Sequence, residues 1–303
     1  MVIGFCTREP KTNSAKREDE MLQKLMILAV FASASCWTTA AQDQAKAPKL
    51  LILEREEIKP GKVTAHTQAA SRFVQLAEKN QAGVYRVGGM AIAGNTNEIF
   101  YFSFADSYAD YERNVDFPQP MTAELVNLEA QTGDVHNSQR RVIAEFVPAL
   151  SYRPEAHTAA LNNAKRVNLF ILRTRPGTYD QVQQIGKLYV DGYKKAGISE
   201  EYWLAYSVRA GMPTDTWIFV EALPSLAALD RNLEERFMKA VGEENLQKIG
   251  SISKEAVLSE ESFIVGVDPT VSRPTKEMLA TNPSWWKAKT QPFAAKGREE
   301  RKQ

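Results

Sequence analysis

Residues 50–61 read LLILEREEIKPG, and residues 166–177 read RVNLFILRTRPG. Each segment is an apolar run that ends in a Pro-Gly pair, the pattern of a β-strand followed by a tight turn. The second copy lies 116 positions after the first. A strand and turn that recur at this distance indicate an internal repeat, and this repeat decides the fold of the chain.

Three further pairs of segments recur in the same order, with offsets that grow slowly along the chain. They are Ala93-Gly94 with Ala210-Gly211 at 117, residues 107–114 with 225–232 at 118, and Arg153-Pro154 with Arg273-Pro274 at 120. Short loop insertions explain the growth of the offset. The sequence therefore predicts a first repeat at 42–160, a second repeat at 161–275 and a basic tail at 276–303.

A helix is predicted after each Pro-Gly turn. In the second repeat, mostly apolar and aromatic residues follow one helical stripe at positions i, i+3, i+7, i+10 and i+14. They are Tyr179, Val182, Gly186, Tyr189 and Tyr193, and their counterparts in the first repeat are Val63, His66, Ala70, Phe73 and Ala77. Because the stripe persists in both copies, it supports the alignment independently of the motifs.

Each repeat then continues with a hairpin, a second helix and a last short strand. The hairpins are predicted at 90–104 and 202–222, with inner strands apolar enough to be buried on both faces, and Ser107 and Ser225 are predicted helix N-caps. The order β-α-β-β-α-β, present twice, is that of two ferredoxin-like units. Because each sheet leaves one apolar face open, we expect an α+β fold in which the two repeats cover each other as a pseudo-dimeric α/β barrel.

The chain resembles the dimeric α/β-barrel superfamily, which includes NIPSNAP-like, EthD-like and antibiotic-biosynthesis-monooxygenase-like proteins. The resemblance rests on KPGK at 59–62, GNTNE at 94–98 and Ser107, and it covers most of 50–274. It implies the barrel fold and a ligand cavity between the first helix and the sheet. Activities in this superfamily range from cofactor-free oxygenation to heme chemistry, so the resemblance implies no single reaction. The chain does not match the proximal histidine arrangement of the heme-binding members.

The first 41 residues are predicted to be a leader. Residues 25–37 read LMILAVFASASCW, a short apolar run that follows a lysine and precedes small residues, which is the pattern of a signal peptide at 21–41. Translation is expected to begin at Met21, which makes residues 1–20 a start-site artefact. A lipoprotein acylated at Cys36 and a buried N-terminal helix are the alternatives. The run is too short to span a bilayer, so we expect a periplasmic or secreted protein without an integral membrane segment.

The composition excludes several classes of function. The chain has 38 Lys and Arg against 37 Asp and Glu, and without residues 1–41 the two signs are equal in number. This balance argues against nucleic-acid binding. Both cysteines lie in the leader, so no disulfide framework and no cysteine nucleophile is expected. Whether the protein forms an oligomer is left open by the sequence.

Most catalytic templates are absent from the sequence. There is no G-x-S-x-G elbow, and the glycines at 89–94 are followed by Asn-Thr rather than by the Lys-Ser/Thr of a P-loop. His66, His136 and His157 are isolated, without the spacing typical of metal ligands. The sequence therefore predicts neither a metal nor another cofactor.

Two sets of candidate site residues follow from the stripes. His66 lies on the apolar stripe of the first helix, where an imidazole can act as a general base, so it is the candidate catalytic residue. The second set consists of candidate ligand-binding residues, namely Tyr179, Tyr189, Tyr193, Tyr206, Trp217 and Glu221. A carboxyl buried among aromatic rings would have a raised pKa. The alternatives are a core histidine, ordinary core aromatics, and a glutamate that is solvated or paired with Arg209.

Three functions remain open at this point. The first is an exported barrel that binds a small aromatic or apolar molecule. The second is a cofactor-independent monooxygenase or isomerase-like enzyme that uses His66, and the third is a protein-interaction module. In the basic tail, Trp285 and Trp286 are predicted to cover a groove on the barrel, with a membrane-surface anchor as the alternative. The sequence does not decide between an enzyme and a binding protein.

Overall fold

In the computed structural model, which describes residues 47–287, each Pro-Gly turn lies between a strand and a 17-residue helix. The strands are β1 (Leu50–Ile58), β2 (Val87–Ala93), β3 (Glu98–Ala105), β4 (His136–Phe146), β5 (Arg166–Thr174), β6 (Leu204–Ala210), β7 (Thr216–Leu223) and β8 (Val257–Val267). The helices are α1 (Val63–Lys79), α2 (Tyr108–Val115), α3 (Gln119–Thr132), α4 (Pro154–Leu161), α5 (Tyr179–Lys195), α6 (Glu234–Val241), α7 (Glu243–Ala256), α8 (Lys276–Thr281) and α9 (Pro283–Lys287). The predicted signal peptide, Met21 and Cys36 lie outside the described residues.

The eight strands form a closed antiparallel barrel in the order β1-β3-β2-β8-β5-β7-β6-β4. Within each repeat the strand order is that of a ferredoxin-like sheet, with β4-β1-β3-β2 in the first and β8-β5-β7-β6 in the second. The β2–β8 and β4–β6 pairs join the two sheets. The predicted α+β fold, two ferredoxin-like repeats closed into a pseudo-dimeric α/β barrel, is confirmed.

Strand alternation divides the buried residues into two layers. Leu51 and Leu53 of β1 point into the barrel, where they join a core formed by all eight strands. Ile58, on the opposite face, packs with Ala70 of α1 and with Tyr101 of β3. The space between α1 and the outer face of the barrel is therefore a second core layer, and the candidate site lies in it.

The two repeats agree in strand register as well as in order. In the first repeat β1 pairs with β4, a register shift follows Glu57, and Ile58 then lies opposite His136. In the second repeat β5 pairs with β8, the same shift follows Arg173, and Thr174 lies opposite Val257. Because the registers match, each residue of these strands in the first repeat has an equivalent backbone position in the second repeat.

The second helical region of each repeat differs from the prediction, because it is broken rather than continuous. Ser107 caps α2 as expected, and its Oγ accepts a hydrogen bond from the Asp110 N–H at 3.0 Å. Ser225 makes no such bond and precedes only a short 3₁₀ helix. Pro118 separates α2 from α3, because a proline inside a helix lacks the N–H that the helix needs and clashes with the preceding turn. Gly242, with a φ of 81°, separates α6 from α7.

Each repeat clasps the other through the segment that follows its last strand. After β4, Arg153 donates a hydrogen bond to the carbonyl of Ser199 in the second repeat. After β8, Arg273 donates to the carbonyls of Ala82 and Val84 in the first repeat. We refer to these two contacts as the arginine clasps. They are related by the pseudo-symmetry of the barrel and account for the repeated Arg-Pro pairs of the sequence.

The beginning of the tail packs on the barrel. Trp286 is fully buried in the main core cluster together with Met278 of α8 and Leu161 of α4. Its Nε1 atom donates to the carbonyl of Asn162 at 3.5 Å. Trp285, partly buried, packs against the same cluster. The tryptophans thus cover the barrel, as predicted, and among residues 47–287 no helix is long and apolar enough to cross a membrane.

Candidate metal centre

His66 lies in the first turns of α1, directly above the outer face of β1. Gly61 adopts a φ of 79°, a left-handed conformation that glycine tolerates, and this turn directs α1 back across the sheet. The imidazole is 4% exposed. Its Nε2 atom lies 2.6 Å from Oε2 of Glu56, a β1 residue that is equally buried. The predicted catalytic residue therefore has a carboxylate partner that the sequence analysis did not identify.

A second imidazole completes the cluster. His136 is the first residue of β4, and the register shift after Glu57 places it beside Glu56, with Nε2 3.5 Å from Oε2. The rings of His136 and His66 meet edge to face with their centroids 5.3 Å apart. The prediction that these two histidines are isolated was wrong, because the pairing of β1 with β4 brings His136 to Glu56, and α1 places His66 on the same carboxylate.

Glu56 carries the negative charge of the cluster. Burial alone would raise its pKa, but the contacts with the imidazoles of His136 and His66 hold the pKa well below its ordinary value. The second carboxylate oxygen accepts a hydrogen bond from the side-chain amide of Gln139 at 2.7 Å. Glu56 is therefore an ionised carboxylate with both oxygens engaged.

Three polar atoms around this carboxylate are buried without a hydrogen-bond partner among the described residues. They are Nδ1 of His66, Nε2 of His136 and the hydroxyl of Tyr101. The Tyr101 ring lies 6.3 Å from the His66 ring, and the guanidinium of Arg86 lies 4.1 Å from its centre. Burial raises the pKa of Tyr101, so its phenol remains a hydrogen-bond donor. Unpartnered buried polar atoms are costly, so their concentration around one carboxylate makes this cluster the candidate site.

The second repeat shows that the fold itself does not need these polar groups. The residues at the positions equivalent to Glu56, His66, His136 and Tyr101 are Leu172, Val182, Val257 and Phe219, and all four belong to one apolar cluster. The same backbone therefore closes around aliphatic and aromatic side chains in one half and around a carboxylate with two imidazoles in the other.

The chemistry of the cluster fits a divalent transition-metal ion. Glu56, His66 and His136 each offer one ligand atom, and these atoms all lie within 4.8 Å of one another. Two imidazoles with one carboxylate suit zinc, iron and related first-row ions. Ligands about 2.1 Å from one ion lie about 3 Å or more apart, so the 2.6 Å contact must lengthen by about 0.4 Å on binding. Three protein ligands would leave coordination positions open.

The residues of the predicted aromatic pocket lie in three separate places. Tyr179, about half exposed, packs on Trp217 with ring centres 5.2 Å apart. Tyr189 and Tyr193 contact the Phe237 ring, Tyr189 in a stacked arrangement. Tyr206 lies inside the barrel against Phe146, because it is on the opposite face of β6 from Ala205. The structure therefore does not bring Tyr206 together with the other aromatic candidates.

Glu221 shares the outer face of β7 with Trp217, as the alternation predicted. One of its oxygens accepts a hydrogen bond from Asn168 at 3.1 Å, and its carboxyl group also contacts Glu201. Burial and the Glu201 charge raise the pKa of Glu221 to about 8. The alternative pairing with Arg209 does not occur, since Arg209 binds Glu145 at 2.5 Å.

His157, the third histidine, lies apart from the metal-type cluster. It belongs to α4 and is fully buried, with both ring nitrogens unpartnered among the described residues. Burial lowers its pKa to about 3, so the imidazole is neutral in the folded protein. Its ring contacts that of Tyr202 edge to face, with centres 6.1 Å apart, which is the environment of a core histidine.

Comparison with protein-family models and with curated protein sequences gives no match. Solved structures are similar in fold at low identity. An anthrone oxidase-like protein has a TM-score of 0.48 at 11% identity, with coverage of 74% of this chain and 93% of its own. A proposed monooxygenase from Fusobacterium nucleatum scores 0.47 at 12% identity, covering 73% and 93%. A mutant chlorite dismutase from Candidatus Nitrospira defluvii scores 0.44 at 8% identity, covering 79% and 97%.

These likenesses concern the fold alone, and the activities in those names do not transfer to this chain. The barrel itself shows the architecture: two ferredoxin-like repeats, confirmed strand by strand, close into eight antiparallel strands with helices outside. The chain has the dimeric α/β-barrel fold, formed by two repeats of a single polypeptide.

Proposed function

We propose that this protein binds one divalent first-row transition-metal ion through Glu56, His66 and His136 and acts on a small molecule at the open coordination positions of that ion. The observation that carries the proposal is the contrast between the repeats. Two imidazoles and an ionised carboxylate converge in the first repeat, where the second has Leu172, Val182 and Val257. A purely structural role gives no reason for this difference.

The chain's own groups have distinct parts in this function. Glu56 supplies the negative charge, and Gln139 orients its carboxylate through Oε1. Tyr101 offers a protonated hydroxyl near the His66 ring, where it can donate a hydrogen bond to a ligand of the ion. The ion itself would supply Lewis-acid or redox chemistry, according to its identity.

A second candidate is proton transfer without a metal, which is the His66 enzyme expected from the sequence. The observation in its favour is the 2.6 Å distance between His66 Nε2 and Glu56 Oε2, which is that of a charge-assisted hydrogen bond. In that arrangement Glu56 orients the imidazole, and the Nδ1 atom of His66 is the free proton acceptor.

Titration with Zn²⁺ and Co²⁺ distinguishes the two candidates. The purified protein is stripped with a chelator and then titrated calorimetrically, with Co²⁺ absorption as an independent report on the ligand set. We expect one ion per chain, and no such binding in the triple variant Glu56→Leu/His66→Val/His136→Val, which copies the second repeat. A matched control is Glu57→Leu, because Glu57 is adjacent in sequence but has its side chain on the other face of β1.

Equal Zn²⁺ binding by the wild-type protein and the triple variant would contradict the metal proposal, as would no binding by the wild-type protein. In the second case, a strongly downfield imidazole N–H signal in the proton NMR spectrum that disappears in Glu56→Gln would support the metal-free candidate instead.

We also propose that the protein acts after export, on the basis of the signal-peptide pattern at 21–41. N-terminal sequencing of the exported protein is the test. We expect the mature chain to begin directly after Ala40 or Ala41, and an N-terminus upstream of Met21 would contradict both the start site and the leader.

A further inference from the structure

A second feature, separate from the metal-type cluster, is a surface cavity of about 430 Å³ where the tail crosses the first repeat. Its lining includes Glu78 and Tyr85 of the first repeat, together with Arg273, Lys276, Trp286 and Lys287, which follow β8. Its volume lies in the range of small-molecule sites, which begins at roughly 300 Å³.

The charges around this cavity are mostly positive. Among the described residues that line it, Arg273, Lys276 and Lys287 are cationic, and Glu78 is the one acidic residue. Within residues 47–287, neither lysine forms an ion pair, and the Arg273 guanidinium is bound by backbone carbonyls rather than by a carboxylate. The described lining of the cavity therefore holds three cationic side chains against one carboxylate.

One wall of the cavity is the aromatic ring of Tyr85. Trp286 is fully buried in the barrel core, so it anchors the tail beside the cavity and offers no surface of its own. Tyr85 is 39% exposed, and the Arg273 guanidinium lies 5.1 Å from the centre of its ring. A planar apolar body can pack against the Tyr85 ring while an acidic group reaches the lysines, since Arg and Lys bind anions and aromatic rings supply apolar area.

We propose that this cavity binds a small organic anion with an aromatic body and one acidic group, such as an aryl carboxylate or sulfonate. The inference is independent of the metal site, which lies at the opposite end of α1: His66 is near its start, and Glu78 is its penultimate residue.

A pair of probes tests the requirement for an anion. 8-Anilinonaphthalene-1-sulfonate is anionic, and N-phenyl-1-naphthylamine has the same aromatic body without the sulfonate. We expect the sulfonate to bind the folded protein at one site per chain, with weaker binding at higher salt because part of the attraction is electrostatic. We expect the neutral amine to bind at least tenfold more weakly.

The double variant Lys276→Glu/Lys287→Glu reverses the two exposed charges and is expected to weaken sulfonate binding at least tenfold, with little effect on the neutral probe. The control Lys239→Glu/Lys254→Glu makes the same change in net charge at exposed positions of α6 and α7. Tyr85→Ala is expected to weaken both probes, because it removes a wall.

Unchanged sulfonate affinity in the Lys276/Lys287 variant overturns the proposal. An equal loss in the Lys239/Lys254 control also overturns it, since binding would then follow net charge rather than this cavity. Absence of saturable one-to-one binding in the wild-type protein is the third contradicting result. Circular dichroism and thermal unfolding of each variant confirm that the protein remains folded.

Discussion

Replacing Glu56, His66 and His136 together by Leu, Val and Val is predicted to stabilise the protein. The second repeat already accommodates these side-chain types at equivalent positions of the same strand register, so the backbone needs no rearrangement. Replacing a buried ion pair by well-packed apolar residues is neutral or stabilising by about 1–4 kcal/mol. We expect a gain within this range for the metal-free protein, because the change also removes two unpartnered ring nitrogens.

Single substitutions in the same cluster are predicted to act in the opposite direction. His66→Val removes the closest partner of Glu56, whose side chain is only 6% exposed, and leaves a buried carboxylate. Breaking a buried pair in this way costs about 3–5 kcal/mol, and the remaining contact with Gln139 places the expected cost near 3 kcal/mol. The effects of the single and triple variants should therefore be strongly non-additive.

Urea unfolding of chelator-treated protein at pH 7 gives the required free energies. The melting temperature Tm should change in the same direction, by about 2–4 °C for each kcal/mol in a domain of this size. The pKa of Glu56 is depressed in the folded state, so its stabilising contribution is present above about pH 4.5 and is lost as the pH falls further. The advantage of the triple variant should therefore grow on acidification.

Two results would refute this reasoning. A triple variant less stable than the wild-type protein by more than about 1 kcal/mol would mean that the polar cluster is structural. Additive effects of the three single substitutions would mean that the side chains do not interact as the distances indicate.

Three further predictions concern other parts of the molecule. Glu221→Gln should stabilise the protein at pH 7 by up to about 3 kcal/mol. The pKa of Glu221 is raised to about 8 in the folded protein, so the stability of the wild-type protein falls as the pH rises from about 4.5 to 8. Urea unfolding at several pH values should show that the difference in stability between the two proteins vanishes below about pH 4. Trp286→Ala should cost about 3–5 kcal/mol in the same assay, because the indole is fully buried in the barrel core, and a cost below 1 kcal/mol would contradict that packing. Tyr101→Phe should leave the stability of the metal-free protein unchanged within about 1 kcal/mol, since it deletes a hydroxyl without a described partner, but it should alter the Co²⁺ absorption spectrum if the hydroxyl contacts a ligand of the ion.

The sequence was sufficient to predict the fold because the repeat provided two readings of the same pattern. The strands that begin at residues 50 and 166, the helices after both Pro-Gly turns and the closure of two sheets into one barrel were all predictable from local patterns and burial. The break at Pro118 was missed because a helical stretch was read through a proline that the local rules already disfavour.

The metal-type cluster could not be predicted from spacing, since His136 meets Glu56 only through the pairing of β1 with β4. One signal was present nevertheless. In the sequence alignment of the repeats His66 corresponds to Val182, and the same offset of 116 pairs Glu56 with Leu172. His136 and Val257 are 121 positions apart, outside the series of offsets, so their equivalence required the strand register. Polar residues that replace apolar ones between two copies of a unit are a usable indicator of a site.

The misplacement of Tyr206 has a different cause. In a barrel both faces of a strand are buried, so an aromatic residue on β6 can point into the barrel or toward the helices with equal loss of exposure. Hydrophobicity does not distinguish these two directions. The direction is decided by the register of the strand against its neighbours, which sets which alternate residues face the interior of the barrel. Glu221 was placed correctly because Trp217, in phase with it, fixed the face of β7.

The arginine clasps are relevant to how the two repeats can have the same fold but different side chains at equivalent positions. In a barrel made from two identical subunits, every substitution appears twice, so a polar cluster in one half imposes the same cluster on the other. A single chain in which Arg153 and Arg273 tie each half to its neighbour keeps the pairing at a fixed one-to-one ratio while each half changes independently. A barrel made from one chain thus allows one half to carry Leu172 and Val182 at the positions where the other half carries Glu56 and His66.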